Sequence, residues 1–245
     1  MRIAVVSDIH GNLPALEAVL RDAKRRGVDT TINLGDSLSG PLLPRETAEF
    51  LMARNWVQLA GNHERQIISD RPEDRSEVDV YARSQINATM LAWIASLKPV
   101  RRFDDDALLC HGTPASDSEY FLETVDSQGI RAASATEIEE RLGTTDAMLV
   151  LCGHTHTPRA ARGRGGALLV NPGSVGLPAY DDLQPYPHVV ATGSPDARYA
   201  IVERGKEGWS AALIAVPYDH EAMAKLARQR GMSDWEHALR WGYMP

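Results

Sequence analysis

The sequence predicts an α/β protein built on two sheets, and two observations carry that reading. Up to Pro99 strand-like runs alternate with helical ones, the rhythm of βαβ units and a parallel sheet. After Pro99 apolar strand-like runs follow one another with a single convincing helix among them, the pattern of a second sheet richer in antiparallel pairs.

Residues 2–7 form the opening strand. Asn12 caps the helix that follows and runs to about residue 26, where Gly27 closes it. Pro14 suits the first turn of that helix, and Leu16, Val19, Leu20 and Ala23 make one apolar stripe. Residues 30–34 are the second strand, Gly40-Pro41 turns the chain, and residues 44–54 are a helix with Ala48, Leu51 and Met52 inward. A third strand covers residues 56–60. Residues 77–97 read as mainly helical, with Tyr81, Ile86, Met90, Trp93 and Ile94 as core contacts. Beyond Pro99 the strands are residues 107–110, 148–152, 167–170, 199–203 and 209–216. The helix among them begins at the capping box Ser134-Ala135-Thr136-Glu137 and ends at Leu142. Residues 178–197 hold four prolines and read as a long loop placed to rim a site. From Asp219 the tail reads as a capped helix, a break at Gly231 and a short helix over residues 234–241, packed on the domain or on a second subunit. Residues 1–245 are therefore expected to be one domain, with 219–245 a C-terminal helical extension, and a homo-oligomer is left open.

A chain of 245 residues, 43% of them hydrophobic, can bury a large core. Its formal net charge of -7 repels polyanions, which argues against a nucleic-acid polymer as partner. The apolar run after Met1-Arg2 covers only residues 3–6, too short for a signal-peptide core, and no later run reaches membrane-spanning length. The expected setting is cytoplasmic, without a membrane partner. Cys110 and Cys152 each close an apolar run and are expected as buried thiols. Trp209, Trp235 and Trp241 are expected as core or interface anchors rather than base-stacking platforms, and His188, His220 and His237 as ordinary surface or core histidines.

Chemistry concentrates where apolar runs end. Asp8-x-His10, Gly35-Asp36, Gly61-Asn62-His63-Glu64, Cys110-His111-Gly112 and Gly153-His154-Thr155-His156 contain five of the eight histidines. In open α/β sheets the loops after several strands converge on one ligand site. Carboxylate, imidazole and amide ligands together suit first-row divalent metals better than Ca or Mg. Seven such side chains are enough for two ions, which a two-metal site holds about 3.5–4 Å apart.

In order and spacing, these motifs resemble the calcineurin-like metallophosphoesterase superfamily, over about residues 3–176. Ser7-Asp8-Ile9-His10-Gly11-Asn12 and Asn171-Pro172-Gly173-Ser174-Val175-Gly176 resemble its small bacterial and archaeal phosphodiesterases. The resemblance implies a four-layer α/β/β/α sandwich of two mixed sheets flanked by helices. It implies two divalent ions, Mn the leading choice and Fe, Co, Ni or Zn the alternatives. One ion would be held by Asp8, His10, Asp36 and His156, the other by Asp36, Asn62, His111 and His154, with Asp36 shared. A metal-bridging hydroxide would attack a small phosphate ester, His63 would protonate the departing alkoxide, and Asn12 and Ser174 would contact substrate.

Departures narrow the substrate. Protein serine/threonine phosphatases carry an arginine where this chain has Ala60, and an Asp and an Arg in the segment occupied here by Ser37-Leu38-Ser39-Gly40. Without those guanidinium forks a phosphodiester is the expected substrate, with a phosphomonoester as the alternative. Ser39 also replaces the carboxylate that orients the histidine acid, leaving Glu64 as the candidate for that task. A non-catalytic scaffold on the same fold is the rival reading, and it predicts eroded histidines, whereas all are present here.

Overall fold

In the computed structural model, which describes residues 1–245, the first strand already dictates the layering. β1 (Arg2–Val6) sends Ile3 and Val5 into one apolar cluster and Ala4 and Val6 into another. A strand with two apolar faces requires a layer on each side. On one side lies α1 (Leu13–Arg25), whose stripe of Leu16, Val19 and Ala23 packs on Ala4 and Val6. Asn12 Oδ1 accepts the Ala15 N–H at 3.3 Å and caps that helix.

β2 (Thr30–Asn33), α2 (Pro44–Met52) and β3 (Val57–Gln58) complete the parallel part of the first sheet, with Ile3 opposite Thr30 and Ile32 opposite Val57. Then come α3 (Asn62–Ile68), α4 (Glu77–Gln85) and α5 (Ala88–Ser96). The second sheet uses β4 (Val100–Phe103) and β5 (Ala107–Cys110); a hairpin of β6 (Glu123–Asp126) and β7 (Gly129–Ala132) and the helix α6 (Ala135–Leu142) precede its remaining strands, β8 (Leu149–Leu151), β9 (Arg159–Arg162) and β10 (Leu168–Asn171). A second hairpin, β11 (Ala179–Asp182) and β12 (His188–Ala191), follows. The chain then returns with β13 (Ala197–Gly205) and β14 (Gly208–Val216) and ends in α7 (His220–Gln229) and α8 (Ser233–Trp241).

The strand orders are β14-β13-β1-β2-β3 and β4-β5-β8-β10-β9. In each sheet three parallel strands lie together, and antiparallel neighbours complete it. Ile3, Val5, Ile32 and Leu34 of the first sheet meet Leu109, Leu149, Leu151 and Val170 of the second in one buried cluster. Full burial of such an aliphatic side chain stabilises by about 1.5–3 kcal/mol. Outside the second sheet, Leu108, Val150 and Leu169 pack on Ile138 and Leu142 of α6. The layers are thus helix, sheet, sheet, helix, the sandwich that the family resemblance implies. No helix is long and apolar enough to cross a membrane.

Several expectations change. Residues 77–97 are two helices, because Asn87 turns out of the first and caps the second, its Oδ1 accepting the Met90 N–H at 3.0 Å. Residues 178–197 are not an unstructured loop: Ala179 pairs with Ala191 and Asp182 with His188 across a hairpin whose prolines lie outside the paired residues. The last two strands join the first sheet, since β13 runs antiparallel to β1 with Ile3 opposite Val202. Met52 stays 37% exposed at the end of α2, where no layer covers it. The tail packs on its own chain: Leu239 and Ala227 enclose Leu42, and the Arg240 guanidinium grips Glu221 through two bonds of 2.8 and 3.0 Å, fastening α8 to α7. Both cysteines are free and buried.

Leu109 sits fully buried between the sheets, so Leu109→Ala should cost about 2–5 kcal/mol in a urea titration. A loss below 1 kcal/mol would mean that the two sheets do not rest on this layer.

Candidate metal centre

Each predicted ligand stands past the carboxyl end of a strand: Asp8 and His10 after β1, Asp36 after β2, Asn62 after β3, His111 after β5, His154 and His156 after β8. Five of the seven predicted ligands have an unusual backbone. Asp8 (φ 55°), His10 (52°), Asp36 (52°), His154 (69°) and His156 (55°) all lie in the left-handed region, shared among non-glycine residues only by Asp104 in the β4–β5 turn. Such conformations cost on the order of 1–3 kcal/mol each and gather at functional sites.

The loops also approach closely. A Cβ on Gly61 would fall 2.1 Å from Asp36 Oδ1, and one on Gly153 would fall 2.0 Å from Ser7 Oγ, so neither position admits a side chain. Glu64 locks two of these loops together. Fully buried, its carboxylate accepts the N–H groups of Asp36, Ser37 and Gly61, each at 2.7 Å.

Two groups of ligand atoms result, Asp8 with His10 and His156, and Asp36 with His111 and His154; within each group the atoms lie no more than 4.8 Å apart. Asp8 joins the groups, its Oδ1 3.5 Å from His156 Nε2 and 3.9 Å from His111 Nε2. Asp36 Oδ2 lies 3.0 Å from His111 Nε2, while its Oδ1 accepts the His63 N–H at 2.9 Å.

The donor set fits a divalent cation. His10 Nδ1 faces Ser39 O at 2.9 Å, His111 Nδ1 faces Leu34 O at 2.9 Å and His156 Nδ1 faces Leu177 O at 2.8 Å. A carbonyl only accepts, so each Nδ1 carries a hydrogen and each Nε2 is the nitrogen turned to the centre. Two of those nitrogens, on His10 and His156, stand 3.0 Å apart. His154 is reversed, its Nε2 donating to Ser118 O at 3.1 Å. Asp8 Oδ1 and Asn62 Oδ1 are buried without a hydrogen-bond partner. Burial, reinforced by His156 and His63, pushes the pKa of His10 down to about 3, and burial with His111 pushes that of His154 down to about 4. Both rings are neutral, as ligands must be. Burial opposes charge on His111 as well, yet Asp36 and Asp8 outweigh it and lift its pKa to about 10, so beside two buried carboxylates the ring holds a second proton on Nε2, which a cation bound there would replace.

His63 belongs to a different arrangement. Its Nδ1 bonds to Asp79 Oδ1 at 2.7 Å, and Asp79 is fully buried. Burial disfavours the charged ring, but Asp36 and Asp79 outweigh it and raise its pKa to about 9. Asp79, not Glu64, is thus the residue that orients His63. The signal for it was the capping box Ser76-Glu77-Val78-Asp79, in which Asp79 Oδ2 also accepts the Ser76 N–H at 3.0 Å. Ser39 Oγ, 2.8 Å from His10 Nδ1, serves His10 instead.

A cleft of about 570 Å³ opens over the centre, lined by His10, Asp36, Asn62, His63, His154 and His156 on its floor. Its walls include Tyr120, Tyr180 of the β11–β12 hairpin and Trp235 of α8, so a tryptophan expected as a core or interface anchor borders the site. Asn12 and Ser174, expected to contact substrate, do not line it. Asn12 is fully buried, with its Nδ2 donating to Gly176 O at 3.0 Å and Tyr218 Oη at 2.9 Å; Ser174 Oγ donates to Asp8 O at 2.8 Å. Both hold the scaffold under Asp8.

A family model described as the calcineurin-like phosphoesterase superfamily domain matches residues 1–193. An uncharacterized protein of Methanocaldococcus jannaschii, MJ0912, is 25% identical over 95% of this chain and 94% of its own length. Among solved structures, a metallophosphoesterase from Sphaerobacter thermophilus is 28% identical with a TM-score of 0.77, covering 99% of both chains. The hypothetical protein PH1004 from Pyrococcus horikoshii shares the fold at 18% identity, with a TM-score of 0.72 over 100% of this chain and 99% of its own.

If the convergent ligand atoms hold metal, Mn or another first-row divalent cation should raise the thermal unfolding midpoint and a chelator should reverse the rise. Saturation at a hundred times the dissociation constant is worth about 2.7 kcal/mol per site. A midpoint indifferent to all such cations would rule out the metal assignment.

Proposed function

The chain belongs to the calcineurin-like phosphoesterase superfamily, and from that premise we propose that it is a two-metal hydrolase of phosphodiesters. The observation carrying the proposal is the pair of His/Asp groups at the base of a cleft whose lining includes four of their six members and His63 but no Lys or Arg. One ion would be held by Asp8, His10, Asp36 and His156, the other by Asp36, Asn62, His111 and His154. Asp36, the proposed shared ligand, is placed by Glu64, whose carboxylate accepts its N–H.

Bound there, two divalent cations supply a hydroxide from water near neutral pH and offset the charge of the phosphoryl oxygens. In the hydrolysis, the water oxygen bonds to phosphorus as the ester P–O bond breaks, and the departing alkoxide takes a proton from His63. Asp79 keeps Nδ1 of that ring engaged, which leaves Nε2 for the leaving group. Burial of Asp79 and its bond to the Ser76 N–H hold the carboxylate in place.

Charge favours a diester. A phosphomonoester dianion is gripped best by bidentate guanidinium groups, and this cleft lining has none. A diester carries a single negative charge, which the two cations and His63 can balance.

Protein loaded with Mn should release p-nitrophenol from bis(p-nitrophenyl) phosphate, and a chelator should stop it. Absence of turnover with Mn, Co, Ni, Fe and Zn alike would contradict the proposal. His63→Asn and Asp79→Asn should keep their metal yet lose about 10²-fold or more in turnover on an alkyl ester, whose leaving group needs a proton, and much less on the nitrophenyl ester. Equal losses on both esters would show that the His63–Asp79 pair does not protonate the leaving group.

A further inference from the structure

Beyond its metal-binding floor, the cleft has an unusual lining. Glu77 at the start of α4, Asp181 and Asp182 on β11, and Asp234 on α8 border it, come from three separate elements and are exposed. None of the four pairs with a basic side chain, although salt bridges are frequent elsewhere on this surface. No Lys or Arg joins them in the lining. A mouth walled by one sign of charge focuses its field on whatever enters, so it resists a second anion and favours a cation.

Aromatic rings share this lining and are held in place. Tyr120 Oη lies 2.6 Å from Tyr180 Oη and 2.9 Å from His188 Nε2, and His188 Nδ1 donates to Tyr186 O at 2.8 Å. These bonds tie Tyr120 to the β11–β12 hairpin. Trp235 comes from the other side, on a helix beyond the residues that the family model matches. It stands edge-on to His10 at 5.9 Å between ring centroids, in space left by Gly40, where a Cβ would fall 2.8 Å from the Trp235 Cη2. Asn62, 7% exposed with Oδ1 unpartnered, lines the cleft beside the proposed ligands, and the rings adjoin them, Tyr120 5.2 Å from His154 and Tyr180 4.7 Å from His156 between centroids.

We propose that this cleft selects phosphodiesters whose only anionic group is the phosphoryl at the centre and whose second alcohol carries an ammonium group, received by Trp235, Tyr120 and Tyr180 beneath the carboxylates. The proposal rests on the phosphodiesterase reading and adds the substrate class. Aromatic faces attract an ammonium group through their quadrupoles, most strongly where water is excluded, and the rim carboxylates add a longer-range pull that salt weakens.

The test uses the Mn-loaded full chain and three p-nitrophenyl phosphodiesters that differ only in the second alcohol: choline, propanol, and an alcohol of similar length ending in a carboxylate. The Michaelis constant should be lowest for the choline ester and about 10-fold or more higher for the carboxylate ester, a gap that narrows as salt is added. Replacing Asp181 and Asp182 together by Asn should draw these two constants toward each other, and Trp235→Ala should weaken the choline ester more than the propyl ester. Equal constants for the three esters, or preference for the carboxylate, would overturn the proposal. If none of them is hydrolysed, the phosphodiesterase reading fails, and calorimetric binding of the same esters still decides the selectivity: the same order supports it, and no order overturns it.

Discussion

The structure depends on holding several strand ends in a backbone conformation that an isolated chain avoids. Asp8, His10, Asp36, His154 and His156 all have positive φ in the loops that follow their strands, and their ligand atoms gather at one centre. Left-handed residues persist where their surroundings over-determine them. Here the surroundings are the inter-sheet core beneath the strands and the Glu64 carboxylate, which holds the N–H groups of Asp36, Ser37 and Gly61. Gly61 and Gly153 provide the close approach. Binding a cation would recover, through ligand bonds, part of what the backbone gives up.

From that constraint the order of the site follows outward. Backbone carbonyls of Ser39, Leu34 and Leu177 fix the ring faces of His10, His111 and His156, so the inner layer of protein sets which nitrogen is offered. A separate helix, α4, brings Asp79 to the ring of His63, while the His63 backbone stays tied to the ligand scaffold through its N–H bond to Asp36 Oδ1. The outermost layer is the β11–β12 hairpin and α8, which border the cleft without supplying any of the grouped ligand atoms. The proposed chemistry and the proposed selectivity thus rest mostly on different elements, α4 alone serving both through Asp79 and Glu77, and α8 lies outside the segment common to the family model.

Most of the floor of the site was legible in the sequence because its residues occupy one kind of place, the end of an apolar strand run. Asp8, Asp36, His111, His154 and His156 are all found there. The orienting partner of His63 was not, because Asp79 lies on another helix and its contact depends on how α3 and α4 pack. Asn12 and Ser174 were misplaced for a related reason: motif position put them near the ligands but could not say which way they face. Prolines hid the β11–β12 hairpin, since the paired residues Ala179–Asp182 and His188–Ala191 alternate with turn chemistry. Trp235 was read by composition, whereas its role follows from the docking of α8 over Gly40. The two sheets were visible as a change of rhythm, but the return of β13 and β14 to the first sheet is a pairing that no local pattern encodes.

The central claim is that these strained loops converge to hold two cations with Asp36 in common. It is tested most directly by counting Mn per chain, by elemental analysis after equilibrium dialysis, in the natural protein and in Asp36→Ala. The account predicts two ions per chain in the first and none in the second, with the variant still folded by circular dichroism. Fewer than two ions in the natural protein, or an unchanged count in Asp36→Ala, would contradict it.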